Sequence, residues 1–155
     1  MNDREFMRLA LREARLAARK GEVPVGAVLV KDGEVIACAH NRREATGNPL
    51  DHAEMLALAE GARHMGGWRL EGTTMYVTLE PCPMCAGALV QARVGRLVFG
   101  ARDPKLGAAG SRYNLVNDEA VHHRLEVVEG ILEEECLAVL REFFSSRRGR
   151  DRLER

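Results

Sequence analysis

The sequence predicts an α/β protein, a three-layer α/β/α sandwich around a central mixed five-stranded sheet. Three observations predict it. Helical and strand patterns alternate along the 155 residues. The Asp32-Gly33 pair between two apolar runs signals a hairpin, and so antiparallel neighbours. The strand–helix–strand stretch over 73–100 signals parallel neighbours joined by a right-handed crossover. The length fits one domain, 1–155, with a tail that loosens from about residue 149. A composition 46% hydrophobic and 30% charged excludes disordered and fibrous classes, and a chain this long buries a core without disulfide staples.

The elements follow in order. Over 3–20, Phe6, Met7, Ala10, Leu11, Ala14 and Ala17 recur at helical spacing, with Asp3 as the expected N-cap. Residues 25–31 and 34–41 are the hairpin strands, because Gly33 tolerates positive φ. Residues 42–50 are polar, carry Gly47 and Pro49, and read as a loop. A helix is expected from Asp51 or His52 to about Met65, closed by Gly66-Gly67. Residues 73–79 (Thr-Thr-Met-Tyr-Val-Thr-Leu) read as a buried strand. Pro81 and Pro83 mark the junction to a helix over roughly 83–93, since proline fits a first helical turn. Residues 96–100 are a further strand. Residues 101–124 read as a long irregular loop, and loops of that length in compact domains usually have a task. Leu125–Val128 gives the last strand, and Ile131 to about Arg148 the last helix.

Charge is balanced, 23 basic against 23 acidic side chains, which excludes a globally basic nucleic-acid binder but not a local basic face. Residues 1–20 and 141–155 each carry six basic residues against three acids, and 93–112 carries five against Asp103 alone. These runs read either as solvated helix faces or as a phosphate-binding surface. No apolar run approaches the ~18 residues of a membrane span. The charged start lacks the apolar core of a signal peptide. A cytoplasmic location follows as the expectation, where the four cysteines read as metal ligands, nucleophiles or small core residues before disulfides.

Two segments carry the chemistry: His52-Ala53-Glu54 at one helix start and Pro81-Cys82-Pro83-Met84-Cys85 at another. A helix N-terminus stabilises thiolate. Two thiolates and one imidazole suit Zn²⁺ and leave a fourth tetrahedral position for water, as in a catalytic site. Glu54 is the candidate base, although residues two apart do not share a helix face. A lone CxxC is equally a redox pair, a structural zinc half-site or chance. Joined to H-x-E, it becomes the zinc-deaminase signature.

Over nearly its full length the chain resembles the bacterial tRNA-specific adenosine deaminases of the cytidine deaminase superfamily. The matching stretches are Glu22–Val28, Asn41-Arg42, His52-Ala53-Glu54, Thr78–Ala88, Phe99–Lys105, Gly107–Ser111, Glu129–Leu132, Glu135-Cys136 and Phe143-Phe144. The resemblance implies one zinc per subunit held by His52, Cys82 and Cys85. It implies that Glu54 shuttles protons from water to the base and to the leaving amine. Attack at C6 of adenine then gives inosine at the wobble position of an arginine tRNA, the target base lying outside the stack. Asn41 matches a position that contacts the nucleoside. The N–H of Ala53 and the carbonyl of Glu80 resemble groups that hold the base edge and the water. Asp103 and Lys105 match a loop beside the anticodon stem-loop. Phe144 and Arg147 resemble residues that grip flanking nucleotides. The family acts as homodimers.

Some positions depart from the family pattern. Asp51 adds charge before the ligand and is an expected N-cap. Pro83 also occurs in guanine deaminases. Residues 112–121 match poorly. Cys38 and Cys136 read as small buried residues, Trp68 as a packing anchor, and Met55 and Leu56 as core. The alternatives are a guanine- or cytidine-type free base or nucleoside deaminase, and a non-catalytic zinc-stabilised RNA-binding module.

Overall fold

The computed structural model describes residues 1–154, with side chains described for 1–147. Among the described residues, five helices and five strands follow one another: α1 (Asp3–Arg19), β1 (Gly26–Lys31), β2 (Glu34–His40), α2 (Arg43–Thr46), α3 (Ala53–Met65), β3 (Thr73–Leu79), α4 (Pro83–Gln91), β4 (Arg96–Ala101), β5 (Glu126–Glu129) and α5 (Glu133–Glu154). The expected loosening from about residue 149 falls where side chains lie outside the described residues.

The sheet order is β2-β1-β3-β4-β5. β1 is antiparallel to both β2 and β3, and β3-β4-β5 are parallel. The mixed sheet is thus as expected. Strand period two sorts the side chains. Val28, Val30, Tyr76 and Val98 face α1 and α5, packing on Phe6, Met7, Leu11 and Cys136. Ala27, Leu29, Met75, Val77, Leu97 and Phe99 face α3 and α4, packing on Ala57, Leu58, Leu89 and Val90. Central strands buried on both faces read as continuous apolar runs rather than alternation. Among the described residues, no helix is long and apolar enough to cross a membrane.

The hairpin turns through Asp32 (φ 50°) and Gly33 (φ 76°), the primed geometry that matches strand twist. The register slips between Leu29 and Val30, which pair with Ala37 and Val35. Ile36 is the extra residue of a bulge.

The structure corrects several local expectations. Asn2, not Asp3, caps α1, its Oδ1 accepting the Glu5 N–H at 2.9 Å. Asp3 is instead held by Arg96 and Tyr76. The expected loop over 42–50 contains α2, because the Glu22 carboxylate accepts the N–H groups of Glu44 (3.0 Å) and Ala45 (2.8 Å). A remote side chain therefore caps this helix, and local sequence carries no trace of that. Asp51 does not cap α3; it accepts from the Thr46 hydroxyl at 2.7 Å. Cys38 is exposed on edge strand β2, whereas Cys136 is buried. Trp68 is 56% exposed, with the Arg69 and Arg93 guanidinium groups over its ring. Met55 and Leu56 are only half-buried.

Candidate active site

Two helix starts converge beyond the carboxyl ends of β3 and β4. His52 is the N-cap of α3 and Cys82 the N-cap of α4, both in extended conformation. Neither side chain makes the usual cap hydrogen bond. A good cap is worth about 1 kcal/mol, so both positions forgo local stability and leave their donor atoms free. Pro83 at the first position of α4 needs no N–H partner. One turn on, Cys85 is buried and lies on the same side as Cys82.

These turns bring His52 Nδ1 within 3.7 Å of Cys82 Sγ and 3.6 Å of Cys85 Sγ. The three ligand atoms all lie within 4.8 Å of one another. A tetrahedral ion with bonds of about 2.3 Å to sulfur and 2.0–2.1 Å to nitrogen would separate the S and N atoms by about 3.6 Å. The donors therefore fit a zinc ion in both chemistry and spacing, with Nδ1 as the imidazole donor. Proton sharing reflects the crowding. A hydrogen bond from Cys85 lowers the Cys82 thiol to about 4. The same contact and burial push Cys85 up, and a hydrogen bond with Cys82 raises His52.

Glu54 lies beside this cluster. The residue is 4% exposed, and burial raises its carboxyl to about 7. The i, i+2 objection does not apply, because His52 has extended rather than helical backbone. Its imidazole and the Glu54 carboxyl line one cavity of about 170 Å³. Drug-sized pockets run about 300–1,000 Å³, so this one has room for a single base. Val23, Val25, Leu79 and Leu106 form its apolar walls, and Asn41, Arg43 and Asp103 its polar ones.

Asn41 joins the two halves of the pocket. Its Nδ2 donates to the Val23 carbonyl at 3.1 Å, and its Oδ1 accepts the Ala53 N–H at 2.8 Å. The Ala53 N–H therefore has an intramolecular partner. Asp103 Oδ1 accepts from the N–H groups of Lys105 (3.0 Å) and Leu106 (3.2 Å), an Asx turn that aims Leu106 at the cavity. Lys105 is exposed and not among the residues around the cavity. Phe144 is 41% exposed on α5. Arg147 donates to the Gly21 carbonyl at 3.2 Å, with its guanidinium over Phe143. Neither Phe144 nor Arg147 lines the cavity; Arg147 sits at the end of α1, next to the segment that does.

Glu80 has a function that sequence reading missed. Its side chain, not only its carbonyl, is buried. One oxygen accepts the N–H groups of Ala109 (2.9 Å) and Ser111 (3.0 Å). The other accepts the Asp103 N–H at 3.1 Å and the Ser111 hydroxyl. A Cβ on Gly107 would strike this carboxylate. The long loop is thus anchored two residues before Cys82. Glycines 107 and 110 beside a small-residue run were the available signal.

A MafB19-like deaminase family model matches residues 1–148. The chain is 56% identical over 142 residues to the tRNA-specific adenosine deaminase of Bacillus subtilis, covering 92% of this chain and 88% of that protein. It is 45% identical over 147 residues to that of a Streptococcus pyogenes strain, covering 95% and 91%. Among solved structures, one from a study of A-to-I editing by tRNA:A34 deaminases at the wobble position of transfer RNA superposes with a TM-score of 0.85 at 45% identity, over 88% of this chain and 99% of that one. A guanine deaminase from Bacillus subtilis superposes at 0.65 with 34% identity, over 72% and 71%. By both sequence and fold, the chain belongs to the family of tRNA-specific adenosine deaminases.

Proposed function

We propose that the protein hydrolyses the 6-amino group of adenosine at the wobble position of a tRNA anticodon, yielding inosine and ammonia. The observation that carries this reading is the His52–Cys82–Cys85 donor set beside a buried Glu54 in a cavity the size of one base, on a chain whose relatives carry that name. An arginine tRNA is the proposed substrate, one zinc per subunit the cofactor, a homodimer the assembly and the cytoplasm the compartment. Four free cysteines agree with a reducing compartment.

His52 Nδ1, Cys82 Sγ and Cys85 Sγ would hold the metal. When bound, zinc supplies a Lewis acid that activates water for attack on C6. Glu54 takes one proton from the attacking water and delivers it to the purine ring nitrogen, then takes the remaining proton from the new C6 hydroxyl and delivers it to the amine, which departs as ammonia. Asn41 holds the start of α3 against β2 and faces the nucleoside. The Glu80 carbonyl orients the water, while its carboxylate fixes the loop of Asp103 and Lys105 beside the anticodon. Leu106 and Val23 exclude solvent from the base. Phe144 stacks on a flanking nucleotide, and Arg147 meets its phosphate.

The test is incubation with anticodon stem-loops carrying adenosine at the wobble position, alongside free guanine and cytidine. Inosine in the stem-loop with inert free compounds is the expected result. Turnover of free guanine or cytidine with an inert stem-loop transfers the assignment to a free base or nucleoside deaminase. RNA binding without ammonia release from any of them leaves a zinc-stabilised binding module.

A further inference from the structure

α1 carries arginine at positions 4, 8, 12, 15 and 19. At about 3.6 residues per turn these fall within roughly 80° of arc, so they form one stripe. All five are exposed, and among the described residues none forms an ion pair. Each successive pair stands at i, i+3 or i, i+4, where like charges repel and weaken the helix. A polyanion laid along the stripe removes the repulsion.

The stripe borders two hollows against α5. One, of about 300 Å³, is lined by Arg8, Arg12 and Arg15 with Glu135. The other, of about 490 Å³, is lined by Arg15, Arg19 and Arg147 with Glu142. Each sets three guanidinium groups against one carboxylate. The second hollow ends where Arg147 reaches the Gly21 carbonyl. Val23, two residues on, lines the candidate active site. From Arg19 back to Arg4, α1 extends about 22 Å at 1.5 Å per residue, so the basic track leads away from the site rim for several nucleotides.

We propose that the arginine stripe of α1, continuous with Arg147, is a docking surface for the phosphate backbone of the RNA stem whose loop enters the active site. It rests on the tRNA reading above. The guanidinium forks match phosphate oxygens. Such contacts set register and affinity rather than sequence choice, which suits a stem, since A-form RNA is recognised mostly by shape and by 2′-hydroxyl and phosphate contacts.

The experiment uses the full chain with R8Q, R12Q and R15Q combined, full-length tRNA, and a hairpin cut to a short stem. Glutamine keeps helix propensity. The variant is expected to melt at or above the wild-type temperature as repulsion is relieved. Its KM for tRNA should rise about 10-fold or more. The slope of log K for tRNA against log salt should fall in magnitude by about 2–3, at roughly 0.7–0.9 per lost phosphate contact. Preference for tRNA over the short hairpin should fall in step. An unchanged slope, or an equal loss on both RNAs, overturns the proposal. If the triple variant does not fold, Arg12→Glu alone carries the same comparison. If wild type yields no inosine from any RNA, the tRNA reading fails; the salt slope of tRNA binding still decides whether the stripe holds phosphates.

Discussion

The Ala53 N–H donates to Oδ1 of Asn41 at 2.8 Å, tying the first residue of the helix that bears Glu54 to the end of β2. Asn41 Nδ2 donates to the Val23 carbonyl, so one side chain ties three segments around the pocket together. Asn41→Ala strands the buried Ala53 N–H, which costs about 1–3 kcal/mol if unsatisfied, while the Val23 carbonyl keeps the Val25 N–H at 2.8 Å. We expect a loss of about 2 kcal/mol in urea unfolding and at least a 10-fold drop in kcat/KM on an anticodon stem-loop. Asn41→Asp keeps the acceptor for Ala53 but not the donor to Val23, and should fall between. Wild-type stability in the alanine variant would show that the pocket does not depend on this bond.

Glu54 illustrates function set against stability. Its carboxyl is buried, and burial disfavours its charge more than the neighbouring His52 favours it. Glu54→Gln removes that cost while keeping shape. The variant should retain about one equivalent of metal, melt no lower than wild type, and release ammonia about 10²–10⁴-fold more slowly, the usual scale of a general acid–base group. Elemental analysis, calorimetry and an ammonia assay read the three quantities. A rate within a few-fold of wild type would remove Glu54 from the proton path.

Glu80 and Gly107 form a second pair whose coupling is measurable. The carboxylate takes four donors from the loop, and only a residue without Cβ fits against it at 107. Glu80→Gln swaps one acceptor for an NH₂ facing the Asp103 N–H. Gly107→Ala forces the loop off the carboxylate, an overpacking cost of typically 1–3 kcal/mol. Each variant should lose about 1–3 kcal/mol and expose residues 102–125 to limited proteolysis. The double variant should lose clearly less than the sum, because both release the same anchor. Strict additivity would mean the two act separately.

What sequence could reveal here followed from local causes. Periodicity located the helices and the central strands, and Asp32-Gly33 located the hairpin to within a residue, because these signals arise from neighbours along the chain. The donor set was legible for the same reason: all three ligands lie at or within one turn of two helix starts, inside short local motifs. The misses share a remote cause. α2 forms because Glu22 caps it from 22 residues away, and Glu80 organises a loop up to 31 residues downstream. Trp68, read as a packing anchor, is 56% exposed and carries Arg93 over its ring from 25 residues away. That Asp3 would serve Arg96 rather than a helix cap was likewise invisible, because 93 residues separate the pair.

That long-range pair makes stability depend on acid. Arg96 Nη1 and Nη2 donate to the two Asp3 oxygens, both at 2.8 Å, and the Tyr76 hydroxyl donates to Oδ1 at 2.6 Å. The Arg96 hydrogen bonds hold the Asp3 carboxyl below its ordinary 3.8. A carboxyl depressed in the folded state binds protons more readily when unfolded, so its stabilisation is complete above the unfolded pKa and disappears as pH falls through the lower folded value. The pair is partly exposed, which screens the attraction, so Asp3→Asn should cost only about 1 kcal/mol near pH 7. The difference in melting temperature between wild type and Asp3→Asn should hold constant from pH 7 to about 5, then narrow below pH 4 as Asp3 protonates. A difference that stays fixed down to pH 2.5 would assign the effect to packing at the start of α1 rather than to the Asp3 charge.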